Sequence, residues 1–170
     1  MATTTGCGGS SSGPIALHRG EYVFDATGDA PSSADITSVQ LSDTSAGSLT
    51  FNISLARRPS PQTAIAVFLD TDRNTATGTR TFGAEYGFLL DGLNESSPFV
   101  DLRQFKGKTD VEADFNYSSE SSVQGRVLSV KLGRVRRFAP GFNLAIATLG
   151  EKGKLDQAPD SGVWSYQMRR

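Results

Sequence analysis

The chain has 170 residues, a formal net charge of -1, 21% charged and 37% hydrophobic residues, which describes one ordinary domain long enough to bury a core. The near-neutral balance excludes a chain-wide electrostatic footprint for nucleic acid. One cysteine excludes an internal disulfide or a cysteine zinc site, and one histidine excludes centres that need several imidazoles.

The first fourteen residues, MATTTGCGGSSSGP, have no aromatic or β-branched aliphatic side chain to bury. Residues 1–19 are therefore expected to be a flexible leader, and residues 20–170 a single domain. No apolar run of signal-peptide length stands in the leader. Cys7 followed by GGSSSG is similar to the first residue of a mature bacterial lipoprotein, which makes Cys7 a candidate lipid anchor. The apolar segment that such a cysteine needs is not found in MATTTG, and a tag or linker has the same composition. No run elsewhere approaches membrane-spanning length, so no membrane span is expected.

From Glu21 onward the apolar period is two. Ile36, Val39 and Leu41 precede a turn at DTSAG, and Leu49, Phe51, Ile53 and Leu55 then alternate with Thr50, Asn52 and Ser54. That pair reads as two antiparallel strands. Ala64 to Leu69 (AIAVFL) suits a central strand buried on both faces. Further strands are expected at Glu85 to Leu90, Phe99 to Phe105, Val111 to Tyr117, Arg126 to Leu132, Asn143 to Leu149 and Val163 to Met168. The segments NTATGT, DGLNESSP, KGKTD and SSESSVQG read as turns between them. Helix is confined to Leu132 to Phe138, stopped by Pro140 and Gly141. Short strands at this spacing predict an all-β fold, an antiparallel β-sandwich with little helix. Its core is expected to include Phe51, Ile53, Val67, Leu69, Phe88, Val130 and Ile146.

Three segments carry a resemblance: GEYVFDATGDAPSSADITSVQLSD (Gly20 to Asp43), IAVFLDTDRNTATGTRTFGAEYGFLL (Ile65 to Leu90) and DQAPDSGVWSYQM (Asp156 to Met168). Their order resembles the jelly-roll sandwiches grouped as DOMON-like and family-9 carbohydrate-binding-module-like domains of secreted bacterial proteins. The resemblance implies an extracellular or cell-surface, non-catalytic module that binds sugars, haem or other surfaces. Haem-binding members use axial Met and His. Only Met1, Met168 and His18 exist here, two of them in or near the leader, so haem is not expected. Sugar-binding members stack tryptophans on pyranose faces, and this chain has only Trp164. Core packing suits Trp164 better than a platform, since tryptophan is highly buried on average. Tyr86, Tyr117 and Trp164 are the candidate ligand-binding aromatics. Their exposure would favour carbohydrate, whereas a face packed with Phe and Val would favour a structural or protein-interaction spacer.

Asp25, Asp29 and Asp35 sit in FDATGDAPSSAD, where Gly28 and Pro31 permit tight turning. Clustered aspartates with loop carbonyls can supply the hard oxygens calcium requires. The same aspartates can also cap turns through nearby amides. The resemblance tilts the reading toward a structural calcium ion on Asp25, Asp29 and Asp35, with Asp160 of the APDSG turn as a further ligand. Asp70-Thr71-Asp72-Arg73-Asn74 has a D-x-D-x-N spacing but is no EF-hand, since Thr75 and Thr81 stand where Gly and Glu are required. There Asp70 and Asp72 are expected to organise a turn and Glu85 to pair with an arginine such as Arg73.

Enzyme readings lack material. A Ser-His-Asp or Cys-His arrangement would have to use His18 or Cys7. GTRTFG lacks the lysine and following helix of a phosphate loop. The expectation is a binding or accessory module with no catalytic residues, with carbohydrate as its ligand class. The alternative is a spacer domain of a cell-surface or secreted protein.

Overall fold

The computed structural model describes residues 14–31, 33–93, 95, 98–106, 109–112, 116–150 and 153–169. Cys7 and most of the expected leader lie outside the described residues. The described chain forms thirteen strands: β1 (Ile15–Leu17), β2 (Tyr22–Phe24), β3 (Ile36–Asp43), β4 (Leu49–Leu55), β5 (Ala64–Asp70), β6 (Tyr86–Asp91), β7 (Phe99–Lys106), β8 (Thr109–Glu112), β9 (Ser118–Gln124), β10 (Val127–Gly133), β11 (Gly141–Gly150), β12 (Gly153–Ala158) and β13 (Trp164–Gln167).

These strands build two sheets. The larger runs β1-β13-β11-β5-β6-β7-β8, and the smaller runs β2-β3-β4-β10-β9. In the larger sheet β12 and β13 divide one edge of β11, β13 pairing Gly141–Leu144 and β12 pairing Ile146–Gly150. Among the described pairings only β1 with β13 is parallel. The protein is an all-β sandwich.

Period-two alternation decides what lies between the sheets. Leu49, Phe51, Ile53 and Leu55 of β4 point inward, while Thr50, Asn52 and Ser54 take the opposite face. Phe51 meets Phe88 of the other sheet edge-to-face, with ring centroids 5.0 Å apart. All seven expected core residues are buried, none more than 2% exposed. The apolar run in β5 has its predicted central place, between β11 and β6.

Several elements differ from the sequence reading, among them β12, which lies where no strand was expected. The expected leader overlaps the fold, because Ile15–Leu17 pairs with Trp164–Tyr166 and Leu17 is buried. The polar segment read as the turn SSESSVQG contains β9, held in register along the whole of β10. The strand expected at Val111 to Tyr117 starts earlier, β8 covering Thr109–Glu112; residues 113–115 of that expectation lie outside the described residues, and Tyr117 stands just before β9. The expected helix reduces to one 3-10 turn at Arg136–Phe138, since Leu132 and Gly133 remain in β10. No helix among the described residues is long and apolar enough to cross a membrane.

Candidate functional site

Asp25 follows β2, Asp29 and Asp35 lie in the loop leading to β3, Asp156 is in β12, and Asp160 is in the turn after it. Folding brings them together at one seam between the sheets. Asp25, Asp156 and Asp160 each place a carboxylate oxygen within 4.8 Å of the others, and so do Asp29, Asp35 and Asp156. Asp156 is common to both triads. The four sequence-predicted aspartates thus converge, joined by one that sequence reasoning did not include.

Two members are rigidly held. Asp156 Oδ2 accepts the Ile36 amide at 2.7 Å, and its Oδ1 accepts the Gln157 amide at 2.7 Å. Asp35 Oδ2 accepts the Gly28 amide at 2.7 Å, drawing the loop inward at a glycine with φ of 88°. This last bond is the turn-capping role that aspartate also suits. It accounts for only one of the two Asp35 oxygens.

The remaining oxygen atoms are short of donors. Asp35 is only 2% exposed, yet among the described residues its Oδ1 has no hydrogen-bond partner, and Asp25 Oδ2 is likewise buried and without one. Burial, with the charges of Asp160, Asp156 and Asp29, pushes the Asp25 carboxyl up to about 7. Burial also raises Asp156. Asp160 is raised chiefly by its contact with Asp29. The charged groups acting most strongly on these three are all aspartates. Carboxylate oxygens left without donors, and with no basic side chain acting on them among the described residues, suit a hard divalent cation.

A second acidic group, Asp70, Asp72 and Glu85, closes the loop after β5. Asp70 Oδ1 and Asp72 Oδ1 both accept the Asn74 amide, at 3.0 and 2.8 Å, as a turn-organising pair would. Glu85 does not pair with Arg73. It accepts the Thr71 amide and the hydroxyls of Thr71 and Thr77, while Arg73 turns away to donate to the Tyr166 carbonyl at 3.1 Å.

The three candidate aromatics do not form a common platform. Trp164 is only 2% exposed and faces the core opposite Leu144, which removes it as a stacking surface. Tyr86 packs against Phe138 at 5.1 Å, and its hydroxyl receives Arg137 and Gln104 at 3.4 Å each. Tyr117 is half-buried, and its hydroxyl accepts the Leu102 amide at 3.3 Å.

Exposed aromatic surface lies elsewhere. Tyr22 is 53% and Phe24 80% exposed on β2, at the edge of the smaller sheet. Register aligns Tyr22 with Gln40, Asn52, Ser129 and Ser122 in one row across all five strands. A second row runs Phe24, Ser38, Ser54, Val127 and Gln124. Neither row contains a charged side chain. Asn52 donates to Gln40 at 2.9 Å, and Gln40 donates to the Gly20 carbonyl at 2.6 Å, which fixes both amides. Tyr22, Asn52, Ser122, Gln124, Val127 and Ser129 line a shallow groove of about 400 Å³. A larger opening, of about 700 Å³, is bordered by Asp91, Glu95, Phe99 and Glu120, and has no such matched row of neutral donors and acceptors.

No family model matches the chain, and no curated protein or solved structure matches it.

Proposed function

We propose that this domain is a non-catalytic module that binds carbohydrate on the outer face of the smaller sheet, with a structural calcium ion in the aspartate cluster. The observation that carries the reading is the row Tyr22, Gln40, Asn52, Ser129 and Ser122, flanked by Phe24. Amide and hydroxyl side chains both donate and accept, as the hydroxyls of a neutral sugar do. An exposed aromatic ring offers a flat apolar surface to the C–H face of a pyranose. Neutrality of the row from Tyr22 to Ser122 matches an uncharged ligand. The ligand class agrees with the sequence resemblance, although the residues proposed to carry it are different ones. An extracellular or cell-surface setting rests on that resemblance.

Calcium is supported by the buried oxygens of Asp35 and Asp25 that have no partner among the described residues. The test is a glycan array probed with the full chain and with Tyr22→Ala. Retention of a neutral glycan by the first and its loss in the second is the expected result. An array blank for the unsubstituted chain, in calcium and in chelator, favours the spacer alternative.

A further inference from the structure

We infer that a cation in the aspartate cluster orders the edge strand β2, and thereby sets the affinity of the face that carries Tyr22 and Phe24. The inference rests on the reading above for both the ligand face and the ion. What it adds is a coupling between them, arising from the chain path: Asp25, a member of the cluster, is the residue immediately after Phe24.

By itself β2 is weakly held. It is three residues long and lies at the sheet edge, with β3 as its neighbour. Tyr22 and Phe24 bury little, and Val23 is only partly buried against the core. Backbone bonds from Gly20 to Leu41 at 2.7 Å and from Asp25 to Thr37 at 3.2 Å bracket the strand. Short edge segments with little buried surface belong to the least stable parts of a fold.

The cluster acts on the C-terminal end of that strand. Without a cation, Asp25 is repelled by Asp156, Asp160 and Asp29, which works to lift β2 from the domain. With a cation, the same carboxylates become a cross-link between β2 and β12 of the other sheet. Asp156 is a firm anchor for it, since two backbone amides hold its oxygens at 2.7 Å. Tyr22 lies three residues before Asp25 on a strand too short to bend far between them.

If only about a tenth of the cation-free molecules keep β2 ordered, apparent ligand affinity falls about tenfold on chelation. Hydrogen exchange tests the ordering directly. Exchange of the 22–25 segment in the full chain is followed in calcium and in chelator, with β9 on the opposite sheet edge as control. Calorimetry on the same samples reports whether calcium binds. Calcium is expected to slow exchange at 22–25 severalfold and leave β9 unchanged. Asp160→Asn, an exposed substitution outside the core, should require more calcium for the same protection.

Calcium binding with unchanged exchange at 22–25 overturns the coupling while leaving the ion in place. Absence of calcium binding overturns the ion and the coupling together. Slowed exchange with equal glycan affinity in calcium and chelator overturns the link to the ligand face. Loss of glycan binding in both conditions, with slowed exchange, sinks the carbohydrate reading and leaves the ordering of β2 supported.

Discussion

The hydroxyl of Tyr166 donates to Asp43 Oδ1 at 2.7 Å, joining the last strand of the larger sheet to the end of β3 in the smaller one across 123 residues. Arg19 reaches the same oxygen at 2.8 Å, and the Arg169 amide meets Oδ2 at 2.8 Å. Both ends of the described chain therefore converge on one buried carboxylate. Burial works to raise the Asp43 pKa, but the bonds from Tyr166, Arg169 and Arg19 hold it below the ordinary value. Burial beside that carboxylate raises the Tyr166 phenol.

Removing the hydroxyl tests this lock. Tyr166→Phe keeps the ring in the core and deprives Asp43 of one donor. A loss of about 1.5–3 kcal/mol is expected in denaturant unfolding, the range for a hydrogen bond to a charged group.

A chain beginning at Gly20 should melt lower than one beginning at Pro14. The shorter chain lacks β1, the Arg19 ion pair with Asp43 at 2.8 Å and the buried Leu17 side chain. Burying a leucine contributes roughly 1.5–3 kcal/mol. Equal melting temperatures for the two chains would show that the β1–β13 pairing contributes nothing.

Trp164 and Tyr22 should separate stability from binding. Trp164→Ala opens the core and is expected to cost about 3–5 kcal/mol. Tyr22→Ala removes a mostly exposed ring and should change stability by no more than about 0.5 kcal/mol. Glycan retention is expected to fall with the second substitution.

Calcium and pH should act on melting in opposed ways. At a hundredfold excess over Kd, an ion bound only to the folded state stabilises it by about 2.7 kcal/mol, and Asp29→Ala should diminish the rise. In chelator, a carboxyl raised from 3.8 to about 7, as in Asp25, favours folding when protonated. Its contribution is fully present below 3.8 and is lost as pH rises through about 7. Melting in chelator should therefore climb as pH is lowered through that window. In calcium the climb should vanish or reverse, because protons compete with the ion. Parallel pH profiles in the two conditions would show that Asp25 takes no part in the site.

Two misread elements show where local pattern lost information. Ser118–Gln124 has few apolar residues to alternate, so its residues resemble a turn. It is a strand because β10 offers a complete partner, from Val127 opposite Gln124 to Gly133 opposite Ser118. The strand expected from Val111 begins instead at Thr109, inside the segment KGKTD read as a turn, where β7 offers it a partner from Lys106 opposite Thr109 to Arg103 opposite Glu112. Pairing with a neighbour outweighed residue preference in both cases, as it commonly does for strands.

What the sequence determined by itself was the alternation, and with it the all-β class and the inward residues from Phe51 to Ile146. Side-chain period along a strand is a local property, carried by each segment without reference to any other. It also made Asp25, Asp29 and Asp35 visible, because one loop contains all three. Only the tertiary structure could add Asp156, whose carboxylate meets the Ile36 amide 120 residues away. The same holds for the row from Tyr22 to Ser122, whose members come from five strands, and for the burial of Trp164. Strand order and register decide which outward residues stand side by side, and both are set by pairing between segments distant in the chain.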